Sequence, residues 1–425
     1  MQVTVGQGSI KGVVIAPPSK SAAQRAFAGA LLHRGRTIIS NAGHSDDEQA
    51  ALNIIQQLGV KIIAQSKETT EIESRGVAPV SDRINCGESG LSARLFTPIA
   101  ALSDKAVTVE GGGSLLQRPM GGFSDVLPAL NVKVSGFSGT LPITVQGPLQ
   151  AIPIMISAED SSQFLSGLLF AYCAAAKERV CITVAGLKSK PYIDLTLEVL
   201  RHFGWPVTHR DHKEFCIDPT LFSHTDTVTV NVEGDWSSAA GLLVAGAISG
   251  EVCISNLSVT SKQADIAILE VLHKAGASLV TAGNAVTVNR SPLRAFEFDA
   301  TDCPDLFPVL SILAACCNGE SYITGVHRLF HKESNRAESI TEMLENFAVP
   351  FSIEDDALCI TGVRKLRGTV IDAYHDHRIV MAAAIGALRA NGPVTINEAE
   401  AVNKSYPGFF GDLISCGVQC NFSEV

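Results

Sequence analysis

Basic side chains recur in this chain at a fixed interval. Arg118, Lys190, Lys262, Lys332 and Lys404 follow one another at steps of 72, 72, 70 and 72 residues. A further group, Lys20, Ser21 and Arg25, opens the stretch "PPSKSAAQRAFAGALL" (17–32), which is otherwise small and apolar. Ser21 and Arg25 are four apart and share a helix face. No acidic residue lies within that stretch, so a buried cation there needs a partner from elsewhere in the fold or from outside the protein. Other polar groups stand at equivalent helix starts: Arg94, then Ser161, Ser162 and Gln163, then Asp305, and finally Asp376, His377 and Arg378. A helix N-terminus already favours anions. Adding Lys or Arg there is unfavourable for the isolated helix and becomes reasonable when an anion sits between them. The chemistry expected of this set is the binding of small polyanions. Pairing with carboxylates such as Glu88, Asp305 and Glu333 accounts equally for a single cation, and less well for the periodic set.

The elements that carry these residues repeat six times. "GESGLSARLFTPIAAL", "DSSQFLSGLLFAYCAA", "GDWSSAAGLLVAGAI", "DCPDLFPVLSILAACC" and "YHDHRIVMAAAIGAL" each resemble the opening stretch, a polar or glycine-containing head before an apolar helix. From Pro18 they start at Gly87, Asp160, Gly234, Asp302 and Tyr374, steps of 69, 73, 74, 68 and 72. A second, amphipathic helix keeps step with them and ends at Gly59, Asn131, Gly204, Gly276, Ala348 and Gly417, each expected as a left-handed C′ residue. Ala348 departs from the residue pattern but not from the spacing. β-prone pieces such as "VTVEGG", "CITVAG" and "VTINEA" lie between the helices. The first helix of each unit is apolar nearly all round and is expected at the centre of its domain.

Six such units exceed one core. The expected fold is α/β of the α+β type: two similar domains, each of three βαβαββ repeats with buried parallel helices, and an interdomain cleft for the site. One domain takes residues 19–232. The other is discontinuous, 1–18 plus 233–425, with crossovers near 16–20 and 230–235.

Composition narrows the function. Hydrophobic residues make up 46% and charged residues 18%, which fits a packed globular chain, and a formal charge of −10 argues against nucleic acid or an anionic membrane surface. Apolar runs such as "LFPVLSILAACC" are too short to span a bilayer, and "MQVTVGQGSIKGVV" is not a secretory leader. The 11 cysteines include no CxxC pair and are expected as free thiols in a reducing cytoplasm. The 11 histidines show no HExxH, and no P-loop or GxGxxG follows a strand, so no metal or nucleotide cofactor is expected.

Seven motifs in order then carry a resemblance across essentially the whole chain: "PPSKSAAQRAFAGALL", "LLQRPM", "SSQFLSGLLFA", "SKPYIDLTLEVL", "HKESNRAESI", "DHRIVMAAAI" and "AVNKSYPGFF". Together they resemble the 3-phosphoshikimate 1-carboxyvinyltransferase (EPSP synthase) family of enolpyruvyl transferases. The resemblance implies two domains of three βαβαββ units. It also implies a transferase that moves the carboxyvinyl group of phosphoenolpyruvate to the 5-hydroxyl of shikimate 3-phosphate, releasing phosphate by addition and elimination. No cofactor is implied. Carried over by motif, shikimate 3-phosphate meets Ser161, Ser162 and Ser189 through its phosphate. Lys20, Ser21, Arg25, Gln163, Tyr192, Asp305 and Lys332 surround the rest of it. Phosphoenolpyruvate meets Lys20, Gly90, Arg118, Gln163, Arg336, Arg378 and Lys404. The implied catalytic groups are Asp305 on the hydroxyl side, Glu333 on the methylene side, and Lys20.

Some positions depart from the family pattern. "GESGL" stands where "GNSGT" or "GNAGT" is familiar, so Glu88 and Leu91 are unusual, and the carboxylate is expected to need a cation such as Arg94 or Arg118. Phe330, Asn335 and Gly408 also depart. Arg94 is expected to brace the Gly90 loop and Lys262 to be a solvated helix start. Two other readings stand beside this one. The UDP-N-acetylglucosamine carboxyvinyltransferases share the donor but carry a loop cysteine that "EGGGSLLQR" lacks. A non-catalytic anion-binding relative would be expected to lose Asp305 or Glu333. The chain is expected to act as a cytoplasmic monomer whose domains close on the two substrates.

Overall fold

The computed structural model describes residues 1–159 and 161–423; Asp160, the head of the third repeat, lies outside the described residues. The chain divides into two compact units, one of Pro18–Val232 and one of Met1–Pro17 with the chain from Glu233 onward.

Each unit holds three four-stranded sheets, and all six share one topology: a parallel pair followed by two antiparallel partners. In the Pro18–Val232 unit one sheet runs Ile154–Ser157, Val180–Ala185, Glu214–Ile217, Val207–Arg210. Strand Thr227–Asn231, at the end of the unit, pairs parallel with Gly35–Ser40 near its beginning. In the other unit the N-terminal strands Gln2–Val5 and Lys11–Ile15 join two different sheets. The sixfold sequence period is therefore a sixfold repeat of one mixed sheet.

The apolar first helices form the cores. Lys20–Leu32, Gly90–Ala100 and Ser162–Ala175 lie in one unit, and Trp236–Ser249, Phe307–Ala315 and His377–Ala387 in the other. Every residue of Lys20–Leu32 beyond its first two is buried, which explains why a stripe of polar residues is absent from it. The amphipathic second helices end as the spacing requires. Gly59, Asn131, Gly204, Gly276, Ala348 and Gly417 all take positive φ, Ala348 at 59°. That conformation is costly for a residue with a Cβ, so the C′ geometry of the repeat overrides local preference there.

Two expectations are corrected. Of the five periodic cations only Lys190 begins its helix. Arg118 and Lys404 close 3-10 turns, and Lys262 and Lys332 stand in loops ahead of their helices. At four of the five positions the cation therefore precedes its α-helix rather than opening it. The thiols are not all free either: Cys181 and Cys216 sit directly opposite on antiparallel strands, Cα to Cα 4.1 Å, and are joined by a disulfide. Among the described residues no helix is long and apolar enough to cross a membrane.

Candidate active site

The polar groups gather separately in each unit. In the Pro18–Val232 unit, the helices Lys20–Leu32, Gly90–Ala100 and Ser162–Ala175 pack side by side, with Lys190–His202 against the first and third. Their N-terminal ends carry the expected residues. Ser19, Ser89 and Ser161 cap three of them, accepting from the backbone N–H of Ala22, Ser92 and Gln163. Ser189 precedes the fourth with φ 52°.

Arg25 is 1% exposed, yet among the described residues no carboxylate pairs with it. Its Nε donates to Thr196 Oγ1 at 2.8 Å, Nη1 to Ser21 O at 2.8 Å, and Nη2 to Tyr192 O at 3.2 Å and Ser166 Oγ at 3.5 Å. Its guanidinium lies 6.0 Å from the Tyr192 ring centre. Burial lowers its pKa to about 10, so it stays charged at neutral pH. Neutral acceptors satisfy its donors without cancelling its charge, which is what an anion site requires. Thr196 and Ser166, joined at 2.8 Å, are the positioning residues that sequence reasoning missed. Thr196 lies one turn beyond Tyr192, the only local signal.

Lys20 is different. Its ammonium lies 2.9 Å from Asp47 Oδ2, with side chains 15% and 8% exposed. The counter-charge missing from its own stretch is thus partly internal, in the first turn of Asp46–Gln57. Arg94 braces the neighbouring loop, donating to Gly90 O, Pro119 O and Gln163 Oε1. Gly90 has a reason that the sequence did not show: a Cβ there would lie 2.9 Å from the Arg118 guanidinium. The clearance serves Arg118, which is buried against the start of Gly90–Ala100. Glu88 accepts from the N–H and hydroxyl of Ser114 at 3.3 and 3.4 Å.

In the other unit Arg336 is the hub. Its side chain is 0% exposed, and its guanidinium donates from Nε to Asp376 Oδ2 at 2.7 Å, from Nη1 to Asp305 Oδ1 at 2.6 Å, and from Nη2 to Glu333 Oε2 at 2.5 Å. These carboxylate partners are not legible in the sequence, where the resemblance implies Arg336 only as a phosphoenolpyruvate ligand. A fully buried guanidinium shared among three carboxylates organises the two candidate proton carriers, Asp305 and Glu333. Asp376, itself buried, also caps His377–Ala387 through the Arg378 N–H and accepts from Ser334 Oγ.

Asp305 is 30% exposed and faces three cations, Arg336 at 2.6 Å, Lys332 at 3.5 Å and Arg378 at 3.9 Å. Burial by itself would raise its pKa, and Glu333 adds to that. The charges of Lys332, Arg336 and Arg378 outweigh both and hold the carboxyl well below the ordinary carboxylate range. Burial pulls Lys332 down, against the pull of Asp305. Behind them the fully buried Asp265 accepts from Ser237 Oγ. Burial and the nearby Asp305 charge push it up to about 7. Lys404 donates to His375 O at 2.7 Å, which turns its stem along the start of the His377–Ala387 helix.

One unit therefore presents a set of helix N-termini with a charged Arg25 held by neutral groups. The other presents two carboxylates fixed by one guanidinium and flanked by Lys332 and Arg378. The first arrangement is chemically suited to binding anions, and the second to moving protons beside them.

Comparison with known proteins gives the family. Curated 3-phosphoshikimate 1-carboxyvinyltransferases of Clostridium novyi and Methanocorpusculum labreanum are 33% identical over 417 residues and 34% identical over 420 residues. The matches cover 96% and 98% of this chain and 95% and 99% of theirs. A solved EPSP synthase of Acinetobacter baumannii superposes with a TM-score of 0.83 at 25% identity, over 99% of this chain and 100% of that one. The sequence profile described as EPSP synthase (3-phosphoshikimate 1-carboxyvinyltransferase) matches residues 5–413. With its sixfold sheets, its capped helix starts and its Asp305–Arg336–Glu333 cluster, the chain belongs to the EPSP synthase family of transferases.

Proposed function

We propose that this chain transfers the carboxyvinyl group of phosphoenolpyruvate to the 5-hydroxyl of shikimate 3-phosphate, as a monomer in the cytoplasm and without a cofactor. The observation that carries the reading is the single buried guanidinium of Arg336 holding Asp305 and Glu333. Addition delivers a proton to the methylene carbon of phosphoenolpyruvate while the 5-hydroxyl oxygen attacks its C2 and gives up its own proton. Elimination then breaks the bond from C2 to the phosphate oxygen and returns the methyl proton, so substrates and products balance. Asp305 takes the hydroxyl proton, and Glu333 gives and recovers the carbon-bound one. Ser161, Ser162, Ser189, Gln163, Ser21, Arg25, Tyr192 and Lys332 hold the shikimate 3-phosphate. Lys20, Gly90, Arg118, Gln163, Arg336, Arg378 and Lys404 hold the phosphoenolpyruvate.

Asp305 in the unliganded protein is a weak base, because three cations hold it ionised. The substrates' own negative charges offset those cations, which raises its pKa toward the range in which a carboxylate accepts a proton. Binding thus activates the base.

The deciding assay is phosphate release from phosphoenolpyruvate with each acceptor in turn. Release with shikimate 3-phosphate alone is expected. Release with UDP-N-acetylglucosamine overturns the acceptor, and tight binding without release overturns catalysis. A second measurement tests Gly90. Gly90→Ala pushes on the Arg118 guanidinium, so KM for phosphoenolpyruvate is expected to rise on the order of tenfold with little change in melting temperature. An unchanged KM removes Arg118 from the donor site.

A further inference from the structure

Strands Val207–Arg210 and Glu214–Ile217 form a hairpin that turns through Asp211 and His212, with φ of 51° and 55°. The turn spells "HRDH" at 209–212, a pair of histidines three apart. The left-handed backbone swings the His212 ring onto the helix Lys190–His202. There its Nε2 lies 2.7 Å from Asp194 Oδ1. The ring of His209 stands beside it, centroid to centroid 4.3 Å. One donor atom from each of the three residues lies within 4.8 Å of the other two. Asp194 and His212 are 35% and 21% exposed, so the group is half withdrawn from water at a junction of helix and hairpin.

We propose that Asp194, His209 and His212 form a three-ligand site for a borderline divalent metal ion, zinc first among them. Two imidazoles and a carboxylate are a common zinc donor set, and the imidazoles disfavour calcium and magnesium, which prefer oxygen. Tetrahedral coordination at bonds of roughly 2.1 Å sets ligand atoms about 3.4 Å apart. The Asp194–His212 pair, at 2.7 Å, is closer than that, and no pair is farther apart than 4.8 Å. His209 Nδ1 holds only a long bond, 3.3 Å, from the His212 N–H, and a metal bond replaces it at little loss. His209 is exposed, which leaves the fourth position to water. The site is distinct from the sulfur group Cys181, Glu214 and Cys216, whose thiols are already joined. A bound ion ties the hairpin to the helix that starts at Lys190, immediately after Ser189.

The test is equilibrium dialysis of the full-length chain against zinc alone, without substrates. One ion per chain at micromolar free zinc is expected, with a higher melting temperature at saturating metal. His209→Gln removes a ligand while leaving the Asp194–His212 hydrogen bond intact, and is expected to weaken binding at least tenfold, as is Asp194→Asn. Cys181→Ser is expected to leave affinity unchanged. With cobalt, a visible spectrum free of thiolate charge transfer is expected. Stoichiometric zinc retained by the His209 variant, loss of binding in the Cys181 variant, or no saturable binding by the full chain each overturns the site.

Discussion

Lys20→Met is expected to reduce turnover by about a hundredfold to a thousandfold, the scale seen when a preorganised donor aimed at the reacting group is removed. The same change has a structural cost, because Lys20 lies 2.9 Å from an Asp47 that is only 8% exposed. Removing one partner of a buried pair leaves the other charge uncompensated, a loss of roughly 3–5 kcal/mol. Low activity in the single variant therefore has two explanations, and the pair Lys20→Met with Asp47→Asn separates them. The double variant carries no stranded carboxylate and is expected to regain most of the melting temperature. It is expected to regain none of the turnover. If activity returns with stability, Lys20 is a strut for Asp47, and its placement between the two substrates is wrong. Circular dichroism melting and a phosphate-release assay on the same preparations give both numbers.

That pair also marks where sequence reasoning stopped. Asp47 lies in "SDDE", in which Ser45 and Glu48 form a capping box; acids in a first turn read as partners of the helix dipole. Nothing local says that one of them reaches a lysine 27 positions earlier. The same blindness applies to Arg336. Nothing near it in the chain says that three carboxylates converge on this arginine, because burial is decided by packing between distant segments. Arg25 shows the converse. A buried cation calls for a partner, but Thr196 and Ser166 are ordinary helix residues until the Lys190–His202 helix is laid beside the first.

What was legible had a short-range cause. The repeat could be read because each unit must end its second helix in a left-handed residue, and five of the six endings are Gly or Asn. The buried first helices were legible because no polar stripe interrupts them. The cysteine expectation failed for a reason of register. A two-residue shift of Val180–Ala185 against Glu214–Ile217 would leave Cys181 and Cys216 apart, and register is invisible in a list of spacings.

Arg336 carries the other large expected effect, on stability and on turnover together. Arg336→Met strands Asp376, which is 0% exposed, and releases Asp305 and Glu333 from a shared donor. A loss of at least roughly 3–5 kcal/mol is expected, with kcat lower by on the order of a hundredfold. The pH dependence identifies the cause. In the parent protein Asp305 titrates below its unfolded value of about 3.9, so its contribution is fully present above that pH and fades only as pH falls through the lower folded value. In the variant, Asp305 keeps Lys332 and Arg378, but a carboxylate left buried without its guanidinium favours the protonated form, so the folded state takes up protons. Its stability then increases more than the parent's as pH falls from 8 toward 5; both share the gain from Asp265, raised to about 7. The gap in melting temperature between the two is therefore wider at pH 8 than at pH 5. Arg336→Lys restores one positive charge but cannot point three donors at three acceptors. It is expected to recover part of the stability and little of kcat. A gap that ignores pH, or full activity in the lysine variant, would show that Arg336 supplies bulk and charge but does not set the positions of Asp305 and Glu333.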